Sequence, residues 1–332
     1  MIATVHKLFF LNLNFNLMNF KSKITRLFTF SILALAMGAC NKDNTSSDTQ
    51  GTVNFEVTDA PFDDANVQGV FVTVTAIKVD GKEITNFNGK TTFDIAAYQK
   101  GETKMVGSTK LDAGTYSNVT LVLDNAKDQS GNAPGSYILT KTGDKKAIAS
   151  ASSETAVTGQ FKVLANQTSS AVIDFDLRKS IVYDGTSGYK FVSSSEMSNS
   201  VRIVQKSETG VIEGTATNSS VTSSDKIIVY AYKKGTFTKA TEMQGQGASS
   251  VEFKNAVTSS VVANGAYKLN FLEAGDYELH FVSYKDKNSD GKLDIQGEFQ
   301  ASVLGGLNLS ALNVTTSNTV TANINLALII PL

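Results

Sequence analysis

Apolar and polar residues alternate one by one along several segments of the chain after residue 50. Successive side chains of a strand point to opposite faces, so this alternation predicts half-buried antiparallel strands. The clearest segments place apolar residues at Val70, Val72 and Val74, at Val119, Leu121 and Leu123, at Ala171, Ile173, Phe175 and Leu177, and at Val320, Ala322, Ile324, Leu326, Leu328 and Ile330. Pairs typical of hairpin turns, such as Asp80-Gly81 and Asn264-Gly265, separate such strands. The sequence contains no amphipathic segment of helical length, so the pattern predicts an all-β protein.

A six-residue pattern occurs twice and divides the β region in two. Leu111-Asp112-Ala113-Gly114-Thr115-Tyr116 recurs as Leu272-Glu273-Ala274-Gly275-Asp276-Tyr277. In each copy Ala-Gly supplies a tight turn before a strand, and the tyrosine hydroxyl can reach a backbone partner. Two unrelated turns are the chance alternative. Because about 290 mature residues are many for one sandwich, we predict two antiparallel β-sandwich domains, transthyretin-like or Ig-like, at residues 51–206 and 210–332.

Three segments of the first predicted domain resemble a known family. They are residues 51–61, 111–116 and 173–182, and they follow the order seen in the domain-of-unknown-function family 4382, which is common in bacterial lipoproteins. The proline usual in the closing strand of that family is absent after residues 189–192. Residues 210–216 are similar to the opening strand of carboxypeptidase-regulatory-like domains. The resemblance implies a fold and a location, and no known activity.

The amino-terminal segment has the pattern of a secretory signal. Basic residues precede an apolar stretch at residues 27–39, and no acidic residue occurs before Asp43. The stretch is shorter than the roughly 20 residues that span a bilayer, and it ends in small residues, as at a cleavage site. We therefore expect residues 1–39 to be removed. A signal that begins at Met18 has ordinary proportions, so we predict Met18 as the start of translation.

Cys40 is the only cysteine of the chain. Met37-Gly38-Ala39-Cys40 resembles the bacterial lipobox, in which the cysteine is acylated and becomes the new amino terminus, although methionine here replaces the usual leucine. An ordinary signal peptide cut beside a chance cysteine is the alternative. Because two or more acyl chains anchor a protein stably, we predict that acyl chains on Cys40 attach the protein to a membrane.

Residues 40–50 carry the predicted lipid and then a wholly polar sequence. With nothing apolar to bury, this segment is expected to be a flexible tether. Lys42-Asp43 resembles the export signal of Bacteroidota surface lipoproteins, with a plain solvated tether as the alternative. We therefore expect an outer-membrane lipoprotein at the cell surface, with the periplasmic face as the other location.

Composition excludes several classes of function. The chain has 30 basic and 31 acidic residues, and the leader holds four of the basic residues and none of the acidic ones. The mature chain therefore has a net charge of about −5. It lacks the excess of basic residues that is typical of proteins that bind nucleic acid. His6 belongs to the leader, so His280 is the single histidine of the mature chain. Ser-His-Asp catalysis, cysteine nucleophiles and His/Cys zinc sites need residues that it lacks. His280 lies in an alternating segment, and we interpret it as a sheet position.

The strongest candidate site is a loop at residues 286–294. Oxygen-bearing side chains at its first, third and fifth positions and glycine at its sixth match the calcium loop of an EF-hand. The predicted Ca²⁺ ligands are Asp286, Asn288, Asp290, Lys292 through its carbonyl, Asp294 and Glu298. Gly297 stands where the twelfth-position glutamate is expected, and Glu298 follows one place late. We predict a structural Ca²⁺ in a loop between strands; a plain Asn/Asp/Gly-rich connection is the alternative.

Two further carboxylate clusters have the composition of a glycosidase site. Asp59, Asp63 and Asp64 form one, Asp174 and Asp176 the other, and two acids about 5–9.5 Å apart can hydrolyse glycosides. However, Arg178 follows on the same polar face as an ion-pair partner, and Asp59 precedes a proline, where carboxylates often cap turns. We interpret both clusters as structural. The chain has no tryptophan, the preferred platform for stacking on a sugar, so carbohydrate binding is less expected.

The expected function is that of a non-enzymatic, lipid-anchored cell-envelope protein, a binding or scaffold module whose ligand would be a surface glycan or a protein. The first alternative is a fimbrillin-like adhesin or pilus subunit, since those are also lipoproteins with two transthyretin-like domains. A glycan-active enzyme is the weaker alternative, because it needs Asp59, Asp63 or Asp174 in one cleft. Residues 319–330 separate the first two hypotheses. A last strand that completes its own sheet favours a monomeric module, and an unpaired one favours donor-strand polymerisation.

Overall fold

The computed structural model describes residues 49–62, 64, 66–185, 187–218, 224–287 and 292–331. Asp48–Leu332 form one compact unit. The predicted leader, Cys40 and most of the predicted tether lie outside the described residues. No helix in the described part of the chain is both long and apolar enough to cross a membrane.

Strands make up most of the first half of the compact unit, up to Gln205. They are β1 (Gln50–Ala60), β2 (Val67–Val79), β3 (Lys82–Glu83), β4 (Asn86–Phe87), β5 (Thr91–Asp94), β6 (Lys104–Asp112), β7 (Gly114–Tyr116), β8 (Val119–Leu123), β9 (Tyr137–Thr140), β10 (Lys145–Ala149), β11 (Glu154–Gly159), β12 (Phe161–Val163), β13 (Thr168–Asp176), β14 (Ile181–Tyr183), β15 (Tyr189–Phe191) and β16 (Val201–Gln205). Two short helices, α1 (Leu177–Ser180) and α2 (Ser194–Met197), and the 3-10 turns Ile95–Ala97 and Lys206–Glu208 complete this half.

The second half, from Thr209 onward, is built in the same way. Its strands are β17 (Thr209–Asn218), β18 (Lys226–Lys233), β19 (Thr258–Val261), β20 (Ala266–Glu273), β21 (Gly275–Lys285), β22 (Asp294–Val303), β23 (Leu312–Val314), β24 (Thr319–Thr321) and β25 (Ile324–Ile330), and its helix is α3 (Lys239–Glu242). The prediction of an all-β fold is confirmed.

Strand pairing changes at the turn Lys206–Glu208, where the sequence predicts a boundary. Within the described residues, the first half has the order β14-β15-β10-β9-β2-β8-β11-β16-β13-β1-β6-β4, with β3 and β5 on β2 and a separate β12-β7 pair. The second half has the order β19-β18-β21-β22-β25-β17-β20, with β23 on β21 and β24 on β17. That each half forms a domain of its own stays a prediction, since both belong to one compact unit.

Most neighbouring strands are antiparallel, as the alternation predicts, and a few pairs are parallel. β1 runs parallel to β13 and antiparallel to β6, so the first described strand lies inside its sheet. β17 runs parallel to β24 and β25. Parallel neighbours require a crossover connection, and these three pairs join strands that are far apart along the chain.

The last strand completes the sheet of the second half. The predicted single strand at residues 319–330 is divided into β24 and β25 at Ala322 and Asn323, where the side-chain oxygen of Asn323 accepts the amide of Thr215 at 3.0 Å. β25 then pairs with β22 on one side and with β17 on the other. By the criterion stated above, this arrangement favours a module that does not need a strand from another chain.

Both copies of the six-residue pattern make the same hydrogen bond. The hydroxyl of Tyr116 donates to the carbonyl of Asp112 at 2.9 Å, and that of Tyr277 donates to the carbonyl of Glu273 at 2.8 Å. In each case the donor reaches back four residues across the Ala-Gly turn. The predicted backbone partner of the tyrosine is therefore confirmed in both halves, and the bond holds the turn between two strands.

β13 departs from the prediction in two ways. The alternating segment was expected to continue through Arg178, but the strand ends at Asp176, whose side chain accepts the amide of Lys179 at 3.3 Å and begins α1. Both faces of the strand are buried, since Val172 on its second face packs with Val204 and Phe271. The second half of the protein covers the face that was expected to meet solvent.

Candidate functional site

Buried charged side chains gather at the end of β13, where the two halves meet. Asp176 lies 3.3 Å from Nη2 of Arg178 and 3.2 Å from Nζ of Lys179, and none of the three residues is more than 8% exposed. Burial alone would raise the pKa of Asp176, but the two cations outweigh it and hold the pKa below its ordinary value. The ion pair predicted between Arg178 and Asp176 is confirmed.

The same two cations bind the backbone of the second half. Arg178 donates through Nη1 to the carbonyl of Glu252 and through Nη2 to that of Phe253, the latter at 3.1 Å. Lys179 donates to the carbonyl of Ala256 at 3.0 Å. The guanidinium also lies 5.1 Å from the ring centre of Tyr230, a cation–π distance. A short helix of one half thus holds an irregular segment of the other.

Asp174 has a different cation from the one predicted. Strand pairing places it opposite Arg202 on β16, and Arg202 donates to its carboxylate through Nη2 at 2.7 Å and through Nε at 3.0 Å. The remaining guanidinium nitrogen donates to the carbonyl of Phe271 at 3.0 Å. The predicted partner, Arg178, is occupied elsewhere because α1 turns it away from the strand face. This second ion pair also connects the two halves.

Glu196 makes a third connection between the halves. It belongs to α2, where it and Ser193 form a capping box. Its carboxylate accepts the amide of Ser249 at 3.1 Å and the hydroxyl of Ser249 at 2.7 Å. Burial tends to raise the pKa of Glu196, but the hydrogen bonds from Ser249 and Ser193 prevail and lower it to about 2. Nearby, Val251 packs into the core of the first half.

Asp59 is buried beside this cluster without a cation of its own. Its Oδ1 accepts the amide of Leu177 at 3.2 Å, so it caps the start of α1, while its Oδ2 has no hydrogen-bond partner. Burial raises the pKa of Asp59 well above its ordinary value, and the charges of Asp176 and Asp174 raise it further. The predicted structural role of Asp59 is confirmed, but its partner is the distant amide of Leu177 and not a turn beside its own strand.

A small cavity opens between the halves at Asp59 and Asp174. It holds about 30 Å³, and the residues around it come from both halves. A cavity of this size has room for one or two water molecules, and a sugar ring is far larger. The side chains around it bind and orient backbone groups, and Asp174 is engaged with a cation. The cavity is thus a small gap between the two halves, bounded by side chains that are engaged in structural contacts.

The predicted calcium loop connects β21 and β22, as expected for a loop between strands. Asn288 and Asp290 lie outside the described residues. The amide of Asp286 donates to Asp225 at 2.9 Å, and Asp294 pairs across the sheet with Lys285. A carboxylate oxygen of Glu298 lies 2.6 Å from Nδ1 of His280, at hydrogen-bonding distance. Among the described residues, no three His, Cys, Asp or Glu side chains come together as metal ligands, and the calcium site stays a prediction.

Cys40 and Asp63 also lie outside the described residues, so the lipid site and one member of the first carboxylate cluster stay predictions. His280, by contrast, is well placed in β21, where its ring stacks on Phe237 with centres 3.6 Å apart. The interpretation of His280 as a sheet position is confirmed. Sequence reasoning missed the contacts of Lys179, Arg202 and Glu196 with the second half, because no spacing along the chain marks a side chain that binds a distant carbonyl or amide.

The family model described as "Domain of unknown function (DUF4382)" matches residues 50–193. The resemblance predicted for residues 51–206 is therefore confirmed over most of its length. No curated protein matches the chain.

Several solved structures match at low similarity. The TIE protein of Bacillus anthracis is 12% identical, with 83% of this chain and 34% of that chain covered and a TM-score of 0.19. A leucine-rich repeat protein of Bacteroides thetaiotaomicron is 9% identical, with 86% and 26% covered and a TM-score of 0.20. The minor pilin GBS52 of Streptococcus agalactiae is 11% identical, with 84% and 97% covered and a TM-score of 0.20. The chain thus spans about a third and a quarter of the first two proteins, and scores this low carry no argument about function.

Proposed function

We propose that this protein is a non-enzymatic, lipid-anchored component of the cell envelope that serves as a binding or scaffold module. The observation that carries the proposal is the order of three features along the chain. A lipobox-like sequence ends at Cys40, a wholly polar segment follows, and the compact β unit begins at Asp48. A lipid, a tether and a folded body in this order form a module held at a membrane surface.

The contacts between the halves support a scaffold role. Asp176, Asp174 and Glu196 each take part in a hydrogen-bonded link from the first half to the second. Buried hydrogen-bonded links of this kind hold two sheets in one orientation. A body of fixed shape on a flexible tether is suited to present a surface to a glycan or a protein outside the membrane.

The state of the carboxylates supports a non-enzymatic role. Glycoside hydrolysis needs two acids that flank a substrate, but Asp174 and Asp176 are each paired with an arginine. Asp59 faces a cavity with room for water alone. His280 is hydrogen-bonded to Glu298 and stacked on Phe237. These environments suit structural roles.

A pilus or adhesin subunit remains the second candidate. Donor-strand assembly, however, depends on a gap in a sheet that a second chain fills. β25 and β1 both lie inside their own sheets, and this favours the module over the polymer.

The lipid anchor is tested by metabolic labelling in the bacterium that produces the protein. We expect radiolabelled palmitate to enter the native protein and to be absent from Cys40→Ala, which should also leave the membrane fraction. Lys42→Ala is the matched control and should keep the label, because it alters the tether and leaves the acylated residue. Label that persists in Cys40→Ala would refute the acylation site.

We also propose that Ca²⁺ binds the loop between β21 and β22 and stabilises it. Ca²⁺ at a hundred times its dissociation constant would add about 2.7 kcal/mol to the free energy of unfolding, which a thermal melt detects. Asp286→Ala combined with Asp290→Ala should abolish this gain, while Asp144→Ala on an exposed turn should keep it. Equal melting with Ca²⁺ and with a chelator would reject the site.

A further inference from the structure

Two strands from different halves enclose the small polar cavity beside Asp59. β1 and β19 lie against each other there, and Asp59 from β1 and Ser259 from β19 both line the cavity. Its volume is about 30 Å³, and a water molecule needs roughly 10–15 Å³. The cavity is therefore large enough for one or two waters.

Two oxygens on the cavity wall have unused hydrogen-bonding capacity. Oδ2 of Asp59 and Oγ of Ser259 are both buried and without a partner in the protein, and the two residues are 7% and 5% exposed. Buried polar atoms nearly always have a partner, either from the protein or from ordered water. An unpartnered carboxyl oxygen and an unpartnered hydroxyl, on two residues that line the same cavity, are the surroundings that an internal water requires.

We propose that ordered water occupies this cavity and bridges Asp59, held there as the neutral acid, to Ser259. The neutral carboxyl provides one O–H donor, the water accepts it, and the water in turn bonds the serine hydroxyl. The bridge joins β1 of the first half to β19 of the second. Because it depends on the proton of Asp59, it couples the packing of the two halves to pH.

The charges around Asp59 favour the neutral form. Asp174 and Asp176 on β13 lie near Asp59, and their negative charges disfavour a negative charge on Asp59. The cations nearby are Arg178 and Lys179 on Asp176, Arg202 on Asp174, and Lys100 and Lys268 at the cavity wall. Burial raises the pKa of Asp59 well above its ordinary value, and the charges of Asp176 and Asp174 raise it further. The amide of Leu177 and the side chain of Gln99 oppose this rise in part.

The sign of the pH effect follows from this raised pKa. In the unfolded chain Asp59 loses its proton near pH 3.9, the usual value for aspartate. The folded chain keeps the proton to higher pH, so the folded state binds one proton more over that interval. The stabilisation from Asp59 is complete below about pH 3.9 and declines as the pH rises. It is lost once the pH passes the pKa of the folded state.

The neutral acid is tested with Asp59→Asn, which keeps the shape and has no proton to lose. We expect Asp59→Asn to gain stability relative to the native protein as the pH rises above 4, in urea unfolding at each pH. Asp144→Asn removes a charge from an exposed turn and should show no such trend. Infrared spectra of the folded native protein, recorded as the pH is raised above 4, should retain the carbonyl stretch of one protonated acid after the exposed carboxyl groups have ionised, and Asp59→Asn should lack it. A native spectrum with carboxylates alone, or a stability difference constant with pH, would overturn the proposal.

The water is tested in a crystal structure of the full mature chain. We expect a solvent peak within hydrogen-bonding distance of Oδ2 of Asp59 and Oγ of Ser259, and we expect Ser259→Ala to displace it. Ser260→Ala is the matched control, since its hydroxyl lines the same cavity but already bonds Val261 and Lys268; here the peak should remain. A peak with the short contacts of a metal ion, or no peak in the native protein, would overturn the assignment.

Discussion

Replacing Arg178 by alanine is expected to lower the free energy of unfolding by about 3 kcal/mol, because it removes one of the two cations that pair with the buried Asp176 and leaves Lys179 alone to do so. The variant also removes the donor that reaches the carbonyls of Glu252 and Phe253. Natural domains are stable by only about 5–15 kcal/mol. A single substitution at the junction would thus remove a large share of the stability of the whole unit.

Urea unfolding of the mature chain measures this loss, with a surface ion pair as the control. Lys162 and Glu208 lie 3.1 Å apart, but both side chains are about half exposed, so Lys162→Ala should cost no more than about 1 kcal/mol. Arg178→Lys keeps the charge but not the planar fork that binds two carbonyls, and it should fall between the two. If Arg178→Ala and Lys162→Ala lower the free energy of unfolding by the same amount, the buried ion pair stabilises the protein no more than a surface ion pair does.

The part of the fold that the sequence predicts is the part set by local chemistry. Alternation in Val119, Leu121 and Leu123 predicts β8, because a strand alternates its faces whatever covers them. The Ala-Gly turn and its tyrosine are equally local, since the hydroxyl of Tyr277 reaches back only four residues. Such features depend on neighbours within a few positions, and all of them are visible in one sequence.

The part that the sequence does not predict is the surface between the halves. Val172, Asp174 and Asp176 have the spacing of a face that is open to solvent, but the second half covers it. A period of two tells which residues share a face, and it does not tell what lies against that face. The pairing of Asp174 with Arg202 depends on the register of β13 and β16, which alternation leaves open.

The family match, too, does not mark all the residues that pack together in the first half. The match ends at residue 193, whereas β16 follows at Val201–Gln205 and lies between β11 and β13. Val251, far along the chain, packs into the core of the first half. The physical unit therefore extends beyond the region that sequence similarity marks, because packing joins residues that similarity treats as separate.

Removing the second half of the chain is expected to lower the stability of the first half strongly. A chain that ends at Glu208 keeps every strand of the first half but exposes Val172 and Val204 and leaves Arg178 and Lys179 without their carbonyl acceptors. Uncovered apolar surface and the loss of hydrogen bonds from charged groups both destabilise the folded state. We expect this fragment to bind a hydrophobic dye and to unfold at much lower urea than the mature chain.

A second fragment that ends at residue 193 separates the loss of the interface from the loss of a strand. It also lacks β16, so β11 and β13 lose the strand between them, and each presents an open edge. We expect it to have no cooperative unfolding transition and to aggregate. The fragment that ends at Glu208 should retain a weak transition that a separately supplied second half strengthens. If that fragment instead unfolds at the same urea concentration as the mature chain, the first half is a domain that folds by itself, and the buried charges at its edge serve the orientation of the second half and not the stability of the first.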